Sequence, residues 1–342
     1  MKLSGMIYQE NSNRAIRWIY VISPVACKKF IMFIYGVAIT IIFLYKSHEI
    51  NQQTTNLDRI RMSTRSVITR TRGRGHGTIS RMFSPGDLGR TLKPFVFLDF
   101  LSGDVKKDGL NFGYHPHSGI GTLTYAINAA VDYTDTEGRD GILHAGGLEW
   151  MKAGGGAWHK STFHSAVTGL LAFQFWFALP PKIEDGPSES LYVDPRDVSK
   201  RDNLKLLIGE YDGLKSPIPA PMNVAVIDVV LNQNGETFTY KVPSGHKTSF
   251  VMVYAGSALV CDDERISTTH EVFVLDEFGE TIQVKRVDET NVTRVLIASA
   301  VPNPYPLSLG MYSVHTNPES LAQAEMRIDR IGEQLSRQGK LK

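Results

Sequence analysis

The sequence predicts an all-β protein: two β-barrels in series, closed by one C-terminal helix and preceded by an N-terminal hydrophobic extension. Three observations carry this. From about residue 76, short apolar or alternating runs recur between Gly, Pro, Asn and Asp turns; helical spacing is scarce before residue 317; and 342 residues suffice for about two domains. The composition, 42% hydrophobic and 21% charged, excludes collagenous, disordered and all-membrane chains. Lys+Arg at 37 against Asp+Glu at 35 leaves a net charge of +2, so no strong field draws nucleic acid, and no such partner is expected. Cys27 and Cys261 are too few for a disulfide framework and form no CxxC, which fits a reducing compartment.

Residues 1–61 form the extension. Its run at 30–45, FIMFIYGVAITIIFLY, has no charge and is flanked by Lys28, Lys29 and Lys46. It falls just short of the ~17 to 25 residues that cross a bilayer. Two readings stay open. One is a membrane anchor with contact through residues 30–45; the other is an upstream addition to a cytoplasmic unit that begins near Met62. Secretory cleavage is disfavoured, because LYKSHEINQQ lacks a small-residue site. Residues 51–75 carry Arg59, Arg61, Arg65, Arg70, Arg72 and Arg74 against Asp58 alone and read as a solvated connector leading into a strand. The glycines at 73, 75 and 77 lie between strand-like flanks with no helix to hold a pyrophosphate, so a nucleotide loop is rejected.

The first barrel is expected over 62–180, with strands at 95–100, 121–127 and 170–179 and a turn at Gly146-Gly147. In LLAFQFWFAL, alternation sets Phe173, Phe175 and Phe177 on one face and Gln174 and Trp176 on the other. Residues 181–221, rich in Pro, Gly and charge with one short helix-like stretch, read as a linker. The second barrel follows over 222–316, with strands at 223–231, 237–242, 249–255, 258–261, 271–275, 282–287 and 292–298. Asn234-Gly235 predicts a tight hairpin turn, since both central residues of a type I′ turn need φ > 0. The helix over 317–342 starts on Asn317 as N-cap and Pro318 at N1, and places Leu321, Ala324, Ile328, Ile331 and Leu335 in one stripe against a barrel.

Two segments carry chemistry. In Tyr114-His115-Pro116-His117-Ser118-Gly119 the histidines at i and i+2 of extended chain share a side, so both imidazoles can reach one ion at ~2.0 to 2.2 Å. A plain surface histidine pair is the alternative. In Met151-Lys152-Ala153-Gly154-Gly155-Gly156-Ala157-Trp158-His159, the glycines allow close backbone approach and His159 can turn toward the pair; a hydrogen-bonded core histidine is the alternative.

Together GRTLKPFVFLDFLSGD, YHPHSGIGTLTY, HAGGLEWMKAGGGAWH, LAFQFWFALP and LGMYSVHTNPESLAQA resemble the pirin family of the cupin superfamily, over most of residues 65–335. The resemblance implies a bicupin: two tandem jelly-roll barrels with one divalent metal, usually iron, in the first. It assigns His115, His117 and His159 as metal ligands. The family's fourth ligand, a glutamate, falls on Ser161, and the other glutamate typical of cupins falls on Gly121. Three neutral histidines still accept Fe(II), the first expectation, or Zn(II), Ni(II) or Cu(II), with less charge to hold them. In members resembling quercetin 2,3-dioxygenases the glutamate is the natural base for a flavonol hydroxyl, a role that a serine cannot fill at neutral pH. Glu149, His164 and His144 are the substitute candidates. The second barrel, with His246 and His270 but no HxH, is expected to be metal-free. The implied function is dioxygenase-type chemistry on a flavonol or another small enol; the alternative is a non-catalytic metal-binding protein that modulates a protein partner.

Overall fold

A computed structural model describes residue 46 and residues 64–105, 109–165 and 169–341. The apolar run at 30–45 lies outside the described residues, and among those described no helix is long and apolar enough to cross a membrane. Period-2 alternation in the sequence becomes antiparallel strands throughout, in two barrels.

The first barrel closes a seven-stranded sheet over a four-stranded one. The larger sheet runs in the order Glu189–Val193, Leu148–Lys152, Ile120–Ala126, Leu170–Ala178, Phe95–Gly103, Ile79–Phe83, Arg74–His76. The smaller sheet is Leu110–His117, Ala157–Ser165, Ala129–Asp135, Asp140–Leu143. Its floor is a small apolar cluster that includes Leu101, Val131, Phe163 and Leu170. The second barrel pairs an eight-stranded sheet, centred on Val224–Leu231, Thr293–Ala300 and Thr248–Ala255, with a three-stranded one. Its core includes Ile227, Tyr240, Val251, Phe273 and Ile297.

The two large sheets pack back to back, and the alternation of residues 170–178 decides how. Phe173, Phe175 and Phe177 are buried with Phe95 and Phe100 against Phe250, Met252 and Tyr254 of the second barrel. Ring centroids meet at 5.3 Å for Phe95 and Phe250 and at 5.1 Å for Phe173 and Tyr254, the edge-to-face contacts that aromatic quadrupoles favour. One carboxylate is sealed into this layer: Asp228 accepts the Tyr125 hydroxyl at 2.8 Å and the Tyr254 hydroxyl. Burial lifts its carboxyl above the usual range, and the two phenol donors oppose that rise.

Two sequence expectations are corrected here. Residues 181–221 are not a linker with a helical stretch. Glu189–Val193 pairs with Leu148–Lys152 in the first barrel, and Leu204–Tyr211 pairs with Val224–Leu231 in the second. Proline and glycine density concealed LKLLIGEY, whose Leu206, Leu207 and Ile208 are all buried. The stretch from residue 64 onward does enter the strand expected at VITRT, but it is not a solvated connector. Val67–Thr71 adds a strand to the second barrel beside Glu271–Leu275. Arg65 is buried, donating to the Ser249 hydroxyl at 2.6 Å and the His246 carbonyl at 2.5 Å, and Arg70 binds Glu271 at 2.6 Å. The chain thus builds the edge of its second barrel before it enters the first.

The helix runs Pro318–Arg337, with the Asn317 side chain accepting from the Ser320 amide at 2.8 Å. Its buried stripe of Ala324, Ile328, Gly332 and Leu335 lies on the first barrel, where the Trp158 indole donates to the Ile328 carbonyl at 2.9 Å.

Candidate metal centre

His115 and His117 sit at the end of Leu110–His117, and His159 lies on the adjacent strand Ala157–Ser165, directly across from His115 in the register. Extended geometry turns all three into the first barrel, and one nitrogen from each lies within 4.8 Å of the others. The expected pairing of the HxH with the distant histidine is what the register produces.

Each ring is oriented from behind. The Nδ1 atoms face acceptors: the Gly113 carbonyl at 2.8 Å for His115, the Tyr312 carbonyl at 3.3 Å for His117, and the Glu149 carboxylate at 3.1 Å for His159. A proton on each Nδ1 satisfies these contacts and leaves the Nε2 lone pairs free. The Nε2 atoms of His115 and His159 are 2.9 Å apart, close to what two neighbouring ligands at ~2.1 Å from a shared ion need. Burial, then the neighbouring His159, pull the His115 imidazole down to about 4; burial, then both neighbours, hold His117 well below its ordinary value. Both are therefore neutral near pH 7, as metal ligands must be. The donor set fits a divalent ion.

The other sequence candidates fall in different places. Ser161 lies two residues beyond His159 on the same strand and is buried on the same side, facing the barrel interior. Gly121 does not face the site: a Cβ there would meet the Trp150 ring at 2.2 Å, in the layer between the barrels, so this position has no room for a carboxylate. Glu149 is buried and spent behind His159, also accepting from the Thr124 hydroxyl at 2.9 Å. Burial alone would raise its carboxyl, but the His159 hydrogen bond and charge, with Thr124, bring it below the ordinary value. It positions a histidine and does not face a ligand. His164 is part-exposed and paired with Asp132 at 2.8 Å, and His144 is exposed in its turn. Neither joins the cluster. In the second barrel, the His246 ring nitrogens contact Ser299 at 2.8 Å and Asn223 at 3.2 Å, and the His270 ring lies edge-on to Phe100.

Sequence reasoning missed Tyr312 and Trp176 as site residues. Tyr312 reaches the centre because its segment is clasped: Ser118 bonds Ser313 at 2.7 Å and His315 at 3.0 Å, and Glu184 accepts the Thr316 amide at 2.8 Å and hydroxyl at 2.6 Å. No local pattern signals a contact across nearly two hundred residues. Trp176 was legible: alternation opposite the three phenylalanines aims it inward, where its ring stacks on Phe97 at 4.2 Å and meets His117 at 5.0 Å.

Comparison with known proteins agrees with this geometry. A pirin family model matches residues 77–177, which span the three histidines. A pirin-like protein of Caulobacter vibrioides is 29% identical over 219 residues, covering 61% of this chain and 76% of that protein. The solved quercetin 2,3-dioxygenase from Acinetobacter baumannii superposes with a TM-score of 0.71 at 24% identity, covering 78% of this chain and 98% of that one. The Escherichia coli bacterial pirin YhhW, solved in complex with nickel(II), gives a TM-score of 0.53 at 16% identity, covering 69% and 99%. The fold is that of tandem cupin barrels. The part of the chain that the pirin family model matches lies in the first barrel, and the relatives that the chain resembles include pirin-like proteins.

Proposed function

We propose that this chain holds one divalent ion on the Nε2 atoms of His115, His117 and His159. We infer Fe(II) in the first place, with Zn(II), Ni(II) and Cu(II) as the other ions such donors accept, and a quercetin 2,3-dioxygenase-type reaction on a flavonol or another small enol. One observation carries the proposal: three imidazoles converge while a separate acceptor engages each Nδ1. The nickel(II) complex of the related bacterial pirin and the dioxygenase name of the A. baumannii neighbour support it.

When bound, such an ion supplies Lewis acidity toward an enol oxygen and a redox partner for dioxygen. The protein's own part is positional. Glu149 holds the Nδ1 proton of His159 and raises the basicity of its Nε2. The Gly113 and Tyr312 carbonyls fix the other two rings, and Trp176 with Phe97 closes one wall to water.

A second reading has an observation of its own. Glu149 sits on the Nδ1 side of His159, and His164 and His144 lie outside the cluster, so none of the base candidates faces the Nε2 side. That favours a non-catalytic metal protein that modulates a protein partner. The two readings part on one assay. Iron-reconstituted protein in air should remove the flavonol absorbance of quercetin near neutral pH, and His115→Ala should abolish this. If the metal-loaded wild type leaves quercetin and related enediols intact, the catalytic reading fails and the regulatory one stands.

A further inference from the structure

Among the described residues, Glu184, Asp185 and His315 each offer one ligating atom within 4.8 Å of the others, a second such group besides the three histidines. Glu184 and Asp185 lie in the turn that follows Leu170–Ala178, and His315 ends the short strand Val314–His315. Glu184 and His315 are each 1% exposed, whereas the Asp185 side chain is 43% exposed, so the cluster is rooted in the protein and opens to solvent on one side.

The hydrogen bonds around His315 decide what stands between these groups. The Ser118 hydroxyl donates to Ser313 at 2.7 Å, so toward His315 at 3.0 Å its oxygen accepts, and the imidazole proton is on Nε2. Nδ1 is left as a buried lone pair without a hydrogen bond, 3.3 Å from Asp185 Oδ1. A lone pair facing a carboxylate is repulsive until a positive charge lies between them. A proton on Nδ1 is disfavoured: burial, the largest influence, pulls the His315 imidazole below its ordinary value, although Asp185 opposes it. The carboxylates are also left with charge to share. Glu184 accepts neutral donors, the Thr316 amide at 2.8 Å and hydroxyl at 2.6 Å; Asp185 Oδ2 accepts the Ser320 hydroxyl at 2.7 Å; and Arg327 donates to the Asp185 carbonyl at 3.3 Å. The separation of 3.3 Å between Nδ1 and Oδ1 is what two ligands at ~2.0 to 2.1 Å from one tetrahedral ion need.

We propose that His315 Nδ1, Asp185 Oδ1 and a Glu184 oxygen bind a second divalent ion, of the Zn(II) type that accepts mixed imidazole and carboxylate donors. The ion is structural. It enters from the solvent side of Asp185 and ties the turn at 181–186 to the segment 313–316, beside Tyr312, whose carbonyl faces the His117 ring. With one imidazole instead of three and one half-exposed donor, this site releases its ion more readily than the histidine centre, so desalting empties it and its occupancy is read at equilibrium.

The test uses full-length protein stripped with EDTA and carrying His115→Ala and His159→Ala, which silence the first centre, with Zn(II) alone as probe in equilibrium dialysis and thermal unfolding. This parent should bind about one Zn(II) per chain, and Zn(II) at about 100-fold over its Kd should raise Tm by about 5 °C. Adding Asp185→Asn, which keeps an oxygen for Ser320, or His315→Gln should weaken Zn(II) at least ~10-fold and remove the rise in Tm. Asp185 is at the surface, so its variant decides the matter even if His315→Gln does not fold; in the otherwise wild-type chain, Asp185→Asn should lower the Zn(II) count by one. Without Zn(II), Asp185→Asn should leave Tm unchanged or raised, since an amide can donate to the Nδ1 lone pair. A parent that binds no Zn(II) at about 1 mM, or an Asp185→Asn variant that binds as tightly as its parent, overturns the site. So does a metal-free Tm that falls in Asp185→Asn, the mark of a protonated His315 paired with that carboxylate.

Discussion

Glu149 is the residue whose role the structure changes most. As a carboxylate ten positions before His159 it offered itself as a base; its place behind the imidazole makes it the group that orients the His159 ring and, in the proposed metal site, would set the tautomer and basicity of a ligand. Glu149→Gln keeps an acceptor for the Nδ1 proton and removes the charge. It should lower the affinity for a divalent ion by about 10- to 100-fold in competition with a chelator, while leaving the fold intact by circular dichroism. Unchanged affinity would mean that the carboxylate serves only the barrel interior. The same contact shows what sequence could and could not supply. His115, His117 and His159 were readable from HPH and from GGGAWH. The facing of Glu149 was not, because it depends on the pairing of Leu148–Lys152 with Ile120–Ala126, which puts Glu149 beside Thr124.

At the scale of elements, the strands that carry the histidines are secured by the segment 312–316 as much as by their own sheet. Gly119 marks the closest approach: its φ is +70°, and a Cβ there would lie 2.0 Å from the Val314 carbonyl. Gly119→Ala should therefore cost about 2 kcal/mol or more, seen as a lower Tm, and loosen the metal as Tyr312 is pushed off His117. A variant with wild-type Tm and metal content would show that the segment is a passive cover. The helix was legible because caps are local chemistry: Asn317 caps it. The hairpin expected at Asn234-Gly235 does not form: Gly235 takes φ 77° in a turn, but Asn234 does not take a positive φ, and Val224–Leu231 and Thr237–Lys241 pair with other strands in different sheets. The strand Leu204–Tyr211 was not legible, because turn-forming neighbours outweighed a short apolar run whose partner strands lie elsewhere in the chain. Arg65 and Arg70 were misread for the same reason. Arginine on the page looks solvated, and only tertiary structure shows that Ser249, the His246 carbonyl and Glu271 were waiting for it.

Across the whole molecule, the division of labour follows from which face of each strand is apolar. The large sheets spend their aromatic faces on each other, which frees the opposite face of the first sheet to carry Thr122, Thr124, Glu149, Gln174 and Trp176 into the barrel. The second barrel fills its interior with aliphatic and aromatic side chains, including Ile227, Val251 and Ile297, while the first leaves three histidines in its wall. The central claim is that this polar interior holds a single ion on three histidines. Its most direct test is elemental analysis of full-length protein reconstituted anaerobically with Fe(II) and then desalted. The account predicts about one ion per chain for the wild type, with His115→Ala and His159→Ala each losing most of it. A wild type retaining less than about a tenth of an ion, or histidine variants that retain as much as the wild type, would contradict it.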